Sequence, residues 1–232
     1  STLGAILKYP CESLAINKGH IHRKKYGFFD IDKGVFLEIA SKLNMQKDNE
    51  VEQIAYKRHP FVLLVEAADD ICYNIIDYED AHRLKILSYE EVKQPLLEII
   101  RANEKDNIDK TLKNLKDIEN DRNEAVAYLR AKSINCLTLK CAEVFINKQN
   151  QIIKGDFNSS LLDELKELSH VLDRIIKTSY DRIYNHESVV RIELAGFRIM
   201  SGLIEDFVEA ALIDPQMKTK RHEKTLSLLP PQ

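Results

Sequence analysis

The chain has no tryptophan, and its 232 residues include only 7 glycines and 6 prolines. These two residues are present at about half their usual combined share of roughly 12%. Because glycine and proline form turns and interrupt helices, their scarcity predicts few turns and long helices. No stretch of useful length alternates apolar and polar residues as a strand would, and no internal repeat is present. The sequence therefore predicts an all-α protein.

The chain also lacks the spacings that zinc sites and common catalytic motifs require. None of its seven histidines is followed by aspartate, and no HExxH motif, Walker loop, GxSxG motif or dinucleotide-binding fingerprint occurs. The four cysteines show no paired metal-ligand spacing, so we expect reduced core residues of a cytosolic protein. They are Cys11, Cys72, Cys136 and Cys141.

Neither an excess of positive charge nor a long apolar run is present. The net charge is −3 with acids and bases well mixed, so the sequence gives no strong signal for nucleic-acid binding. The longest apolar runs, such as residues 61–65, fall far short of the roughly 20 residues that span a bilayer. No signal peptide is evident. We therefore expect a cytoplasmic protein without a membrane segment.

Apolar periodicity and capping signals predict eight helices. Pro60 suits the first turn of the longest of the early ones, and Ser88 with Glu91 forms a capping-box signature for the next. The predicted ranges are 34–43, 60–84, 88–102, 106–117, 120–149, 159–184, 187–213 and 218–228.

The predicted helix 60–84 carries a stripe of polar residues. At about 100° per residue, Glu66, Asp69, Tyr73 and Asp77 fall on one narrow face. Apolar residues occupy the opposite side and flank the stripe, so we expect this helix to be largely buried. Six acids and no Lys or Arg lie between Arg58 and Arg83. Buried carboxylates need a metal ion or a base from elsewhere in the fold. The pattern fits such a site and an acidic surface helix equally well.

Three cationic residues are further candidates for the site. Arg130 falls in the middle of the core stripe of its helix, where a guanidinium needs a carboxylate or phosphate partner. An internal salt bridge is the simpler alternative for it. Lys25, beside Lys24, and Lys8 precede Tyr-Gly and Tyr-Pro steps and are positioned to meet a phosphate.

The segment Arg58–Asp80, with EAADDICY at its centre, strongly resembles the HD-domain deoxyguanosine triphosphate triphosphohydrolases. Shorter stretches resemble the same family in the same order along the chain. They are Lys8-Tyr-Pro with Lys25-Tyr-Gly-Phe-Phe, Leu129-Arg-Ala-Lys-Ser-Ile and Val189-Val-Arg-Ile-Glu-Leu-Ala-Gly. The resemblance covers essentially the whole chain.

The resemblance implies an all-α, HD-domain-like phosphohydrolase fold and cleavage of a deoxynucleoside triphosphate, dGTP first among candidates, to deoxynucleoside and tripolyphosphate. It implies a divalent metal ion such as Mg²⁺ or Mn²⁺, and homo-oligomers. By motif match, Asp69 is a metal ligand, and Tyr73 and Asp77 face the deoxyribose. The cations Arg130, Lys25 and Lys8 are expected to contact the substrate.

The chain departs from the family in having no His-Asp dipeptide, so three of the four expected metal ligands are absent. The resemblance implies that the family's N-terminal half, with its catalytic histidines, would precede this sequence. Residues 1–87 are then the active-site segment and 88–232 a helical bundle, within one all-helical region. No catalytic residue is assigned inside the chain. A non-catalytic regulatory or oligomerisation module, or a phosphohydrolase for another nucleotide, stays open.

The predicted helix 187–213 is apolar on more than one face. Such a helix is either the core of its own domain or shared with a second subunit. Gly196 and Gly202 each cost about 1 kcal/mol of helix stability relative to Ala, which close approach of another backbone would offset.

Overall fold

The computed structural model describes residues 2–103 and 108–230. This part of the chain forms helices joined by turns and by longer irregular segments, with two isolated β-bridges and no β-strand. The all-α prediction is confirmed. The α-helices are α1 (Thr2–Ile6), α2 (Lys33–Lys42), α3 (Pro60–Arg83), α4 (Tyr89–Asn103), α5 (Ile108–Ile118), α6 (Arg122–Asn147), α7 (Gln149–Ile153), α8 (Ser169–Thr178), α9 (Glu187–Leu212) and α10 (Lys220–Leu226).

Local side chains determine where α3 and α4 begin. The His59 ring accepts a hydrogen bond from the Phe61 N–H at 3.2 Å, and Pro60 occupies the first turn. Ser88 and Glu91 form the predicted capping box, in which the Glu91 carboxylate accepts from the Ser88 N–H at 2.8 Å. Each contact satisfies a backbone N–H that would otherwise have no partner at a helix start.

Three helices end in the same way, with a residue of positive φ directly after the last turn. Asn44 follows α2 with φ of 50°, Lys85 follows α3 with φ of 61°, and Gly155 follows α7 with φ of 68°. In each case two backbone N–H groups turn back to the helix's last carbonyls. The chain can therefore reverse sharply after each of these helices.

The core is formed where α3 and α4 pack against α6. The fully buried side chains include Ile75 and Tyr78 from α3, Leu96 from α4, and Leu129 and Leu137 from α6. The Ser133 hydroxyl and the Cys136 thiol of α6 donate to carbonyls of α4 at 3.2 Å. Burial of these apolar surfaces provides most of the free energy that holds the three helices together.

The segment before α3 folds back on itself around Asp48, whose side chain is fully buried. The Asp48 carboxylate accepts from His22 at 2.7 Å, lies 3.2 Å from Arg23 Nε, and accepts from the Glu50 N–H at 3.1 Å. Gly27 is required nearby because a Cβ at this position would collide with the Tyr9 carbonyl. This packing fixes the backbone that carries Lys8 and Lys25.

Several sequence predictions differ from the structure. The helix predicted over 159–184 is wrong at its start, since turns and a short 3₁₀ segment precede Ser169. Helices α1 and α7 were not predicted. Part of the helix predicted over 106–117 lies outside the described residues. Cys11, Cys136 and Cys141 are buried as expected, whereas Cys72 is exposed, as are other α3 residues expected to be buried.

The chain divides into two compact units, Ser1–Ser179 and Tyr180–Gln232. In the second unit α9 packs against α10 but exposes most of its apolar side chains; Ile192, Phe197 and Met200 are 74%, 73% and 57% exposed. It is therefore not a buried core helix within its unit. No helix in the described part of the chain, α9 included, is long and apolar enough to cross a membrane.

Candidate active site

The polar stripe of α3 splits between solvent and interior. Asp69 is exposed, Tyr73 is 58% exposed and Asp77 is half-buried, whereas Glu66 is buried. Asp69 makes no hydrogen bond or ion pair with any residue that the structure describes. The three outer residues repeat every four positions, so they follow one line along the helix surface. Asp69, Tyr73 and Asp77 are referred to below as the α3 stripe.

Glu66 is neutralised by two cations from the segment before α3. Lys8 Nζ lies 2.9 Å from Glu66 Oε1, and Arg58 Nη2 donates to Glu66 Oε2. Partial burial lowers the pKa of Lys8, but the hydrogen bond to Glu66 together with the negative charges of Glu66 and its neighbours outweighs this effect, and the pKa is raised. The sequence predicted that a buried carboxylate on α3 would need either a metal ion or basic side chains from elsewhere in the fold. For Glu66, the structure provides the basic side chains.

Arg130 makes the internal salt bridge that was the simpler alternative for it. Its Nε lies 2.6 Å from Glu79 Oε2, although the N–H is not well aligned for a hydrogen bond. Arg83 contacts the other oxygen of the same buried carboxylate at 2.8 Å. The Arg130–Glu79 pair therefore joins α6 to α3. Arg130 is not among the residues that line the cleft described next.

A cleft of about 690 Å³ lies beside the α3 stripe, within the range of ligand-binding pockets. Its lining comes from α3, from α8 and the turns before it, and from the segment that contains Lys8 and Lys24. Of the residues predicted for the site, the cleft brings together Lys8 and Tyr73. Asp69, Asp77 and Lys25 do not line it; Lys24 does.

The cleft also contains charged residues that sequence reasoning missed. Lys166, Asp163 and Asp173 come from α8 and the turn before it, and Asp70 comes from α3. Burial, supported by the nearby charges of Glu66, Asp69 and Asp163, raises the pKa of Asp70 despite the opposing effect of Lys8. Nothing in the local sequence distinguished the α8 residues from an ordinary solvated helix face, because only long-range packing places them opposite α3.

The described residues do not form a complete metal site. Within residues 2–103 and 108–230, no three His, Cys, Asp or Glu side chains are grouped so that they could hold a metal ion. Asp69 and Asp70 are adjacent, but they point about 100° apart on the helix.

Curated proteins from several bacteria are similar to this chain, although no family model matches it. A deoxyguanosinetriphosphate triphosphohydrolase-like protein of Synechocystis is 34% identical over 219 residues, which are 91% of this chain and 46% of that protein. A protein of the same description from Pseudomonas aeruginosa is 30% identical over 91% of this chain and 46% of its own length. A deoxyguanosinetriphosphate triphosphohydrolase of Klebsiella pneumoniae is 32% identical, over 88% and 41%.

The chain therefore spans about half the length of the curated relatives it matches. Their matches cover 91% and 99% of this chain, at 34% and 29% identity. The all-helical structure agrees with the fold that the motifs implied. These matches support the resemblance to the deoxyguanosinetriphosphate triphosphohydrolase-like proteins over nearly the whole of this chain.

Proposed function

We propose that this chain contributes part of the active site of a deoxynucleoside triphosphate triphosphohydrolase, with dGTP as the first candidate substrate. The reaction releases the deoxynucleoside and tripolyphosphate. Because the chain spans about half of its relatives, the remaining site residues would come from a longer protein that contains this sequence. The observation that carries the proposal is Asp69, which is exposed, has no partner among the described residues and lies one turn from Tyr73 in the segment that carries the strongest sequence resemblance.

We assign the α3 stripe to the metal and the sugar. Asp69 would supply one oxygen ligand to a divalent ion such as Mg²⁺ or Mn²⁺, ions that prefer carboxylates. When bound, such an ion polarises phosphate and activates water. Tyr73 would pack against the deoxyribose, and Asp77 lies one turn further along the same face.

Lysines of the segment before α3 would hold the triphosphate. Lys8 keeps its charge because Glu66 raises its pKa, and Arg58 shares in neutralising Glu66. Lys8, Arg58 and Glu66 together therefore carry a net positive charge beside the cleft. Lys25 is exposed nearby in sequence, whereas Arg130 is already paired with Glu79, so we assign Arg130 to structure.

The 232-residue chain by itself is expected to show no triphosphohydrolase turnover and only weak binding of divalent metal. One carboxylate gives too few ligands for a tight site. A longer protein containing this sequence is expected to turn over at least one deoxynucleoside triphosphate. The measurement is tripolyphosphate released from a panel of the four deoxynucleoside triphosphates with Mn²⁺ or Mg²⁺.

The two proteins serve as controls for each other in that assay. Robust turnover by the 232-residue chain would contradict the idea that the site is shared. Inactivity of the longer protein on the whole panel, with the protein folded, would favour the non-catalytic module instead.

We also propose that the family's homo-oligomers form here through α9. Its apolar side chains are exposed over much of its length, and an extended apolar surface of this kind marks an interaction site. A Cβ built on Gly196 or Gly202 would meet no described atom within 4 Å, so a partner backbone could approach closely there.

Light scattering at micromolar concentration is expected to give a mass above the 26.8 kDa of the monomer. Replacing the exposed Phe197 by Glu is expected to lower that mass, because a charge in an apolar contact must be desolvated. Lys113→Glu on α5, exposed in the first unit, is the matched control and should leave the mass unchanged. A clean monomer for the unmodified chain would rule out the proposed interface at this concentration.

A further inference from the structure

A second cavity, of about 350 Å³, lies at the start of α3 and is separate from the cleft. It is lined by residues 57–60, which lead into α3, by residues 43–46, which follow α2, and by residues at the end of α7. Asn44 and Gly155, which end α2 and α7 with positive φ, both line it. At Gly155 a Cβ would lie 2.8 Å from the Cβ of Lys57, so glycine keeps this wall open.

The lining of this cavity is basic and contains no carboxylate among the described residues. Three consecutive residues, Lys57, Arg58 and His59, contribute to it. A small pocket that shares Lys57, Arg58 and Gly155 with it adds His22 and likewise no carboxylate. The acid nearest to Lys57 is Asp48, 3.9 Å away, and that carboxylate is already held by His22 and Arg23.

Arg58 is the strongest indication of a ligand. Its side chain is only 6% exposed, and its Nη2 donates to Glu66. The Nε and Nη1 nitrogens are buried and have no hydrogen-bond partner among the described residues. Buried donors of a charged group are rarely left without an acceptor, because the loss of hydration is not compensated. A guanidinium has donors on all three nitrogens, so it can keep Glu66 and bind a second acceptor.

The uncharged His59 ring can donate a hydrogen bond to an anion in this cavity. The dipole of α3 also favours a negative charge there. The His59 Nδ1 accepts from Phe61, which leaves the proton on Nε2, and burial lowers the pKa of the ring. The positive end of the 24-residue α3 points toward this cavity. Pro60 has no N–H and the Phe61 N–H is already used, so side chains rather than helix N–H groups would hold an anion.

We propose that the cavity at the start of α3 binds a phosphate-bearing anion, held by Arg58 and Lys57 with His59 as an additional donor. Anion binding in this cavity does not depend on the proposed catalytic function, whereas its effect on Lys8 rests on that function. Arginine binds phosphate through several charge-assisted hydrogen bonds, and the cavity has room for a phosphate or a short phosphate chain. Because the free Arg58 nitrogens are buried, binding requires the Arg58 side chain to move toward the cavity.

The site would be connected to the cleft through one shared carboxylate. Arg58 and Lys8 hold opposite oxygens of Glu66, so the cavity and the cleft each contain one of its two cations. When Arg58 moves to bind an anion, its contact with Glu66 weakens, and Lys8 becomes the main cation that neutralises Glu66. A phosphate-bearing ligand in the cavity would therefore change how strongly Lys8 engages a substrate.

The proposal is tested by isothermal titration calorimetry of the 232-residue chain at low ionic strength. The dissociation constants of inorganic phosphate and of tripolyphosphate are measured separately. Both are expected to bind, and tripolyphosphate more tightly, because it carries more charge. Deoxyguanosine, which has no phosphate, should not compete with inorganic phosphate. Competition by deoxyguanosine would place the phosphate in a nucleoside site instead and overturn the proposal.

The key variant is Gln46→Glu, which puts a carboxylate on the cavity wall at an exposed position. It is expected to weaken phosphate binding by about tenfold through charge repulsion. Gln53→Glu, exposed and outside the cavity lining, is the matched control and should stay within about twofold of the parent. Arg58→Lys, which can still pair with Glu66, should also weaken binding.

A variant of a cleft lysine tests whether the anion binds in the cavity or in the cleft. Lys24→Ala should leave phosphate binding unchanged, because Lys24 lines the cleft and not this cavity. Loss of binding in Lys24→Ala together with unchanged binding in Gln46→Glu would move the anion to the cleft and overturn the proposal. Absence of any phosphate binding by the parent chain would do the same.

Discussion

Replacing Asp69 by Ala is expected to reduce turnover of the longer enzyme by about 10³-fold or more without destabilising it. Loss of a metal ligand removes several kcal/mol of transition-state stabilisation, and each 1.4 kcal/mol is about tenfold. Asp69 is exposed and has no structural partner among the described residues, so its removal should change stability by no more than about 0.5 kcal/mol. The measurements are kcat from tripolyphosphate release and urea unfolding of the same protein.

Asp70→Ala is the matched control on the neighbouring position. Asp70 lies about 100° round the helix from Asp69 and lines the cleft, so its loss should act mainly on KM and be milder. The reverse pattern, with kcat lost in Asp70→Ala and kept in Asp69→Ala, would show that the metal ligand is Asp70.

Replacing Asp48 by Ala is expected to destabilise the 232-residue chain by about 3–5 kcal/mol, the cost of leaving a buried cation without its partner. Asp48 is fully buried, and Arg23 and His22, both about 3% exposed, rely on its carboxylate. Urea unfolding followed by far-UV circular dichroism measures the change. Asp30→Ala at an exposed position should stay within about 0.5 kcal/mol. A loss below about 1 kcal/mol in Asp48→Ala would contradict this role.

The same cluster gives stability a defined dependence on pH. Burial lowers the pKa of His22 despite its hydrogen bond to Asp48, so the unfolded chain takes up a proton more readily as the pH falls below about 6.5. Burial would raise the pKa of Asp48, but the hydrogen bonds from His22 and the Glu50 N–H and the charge of Lys57 hold it below its usual value. Its stabilisation is present above about pH 4 and is lost on further acidification.

Glu66 connects the cleft and the basic cavity through one buried carboxylate. On α3 it faces inward while Asp69 faces outward, although both belong to the polar side of the same helix. Its two oxygens fix Lys8 at the cleft and Arg58 at the basic cavity. Because both cations come from the segment before α3, the position of that segment determines the charge at both places.

Much of the fold followed from local signals in the sequence. Few glycines and prolines, apolar periodicity and caps at Pro60 and Ser88 predicted an all-α chain with α3 and α4 close to their observed bounds, because helix starts depend on neighbouring residues. The spacing of Asp69, Tyr73 and Asp77 likewise placed them on one line, since helical geometry alone determines it. The motif around Asp69 pointed to the family that the comparisons support.

Contacts between distant residues were decided only by the tertiary structure. Lys8 and Arg58 neutralise Glu66, Arg130 pairs with Glu79 rather than lining the cleft, and Lys24 replaces Lys25 at the cleft wall. The intervening chain is long enough to bring many different pairs of residues together. Packing of the apolar helix faces determines which of these pairs form. The exposure of Cys72 and of the apolar residues of α9 could not be predicted either. Periodicity identifies the apolar face of a helix, but it does not show whether another surface covers that face.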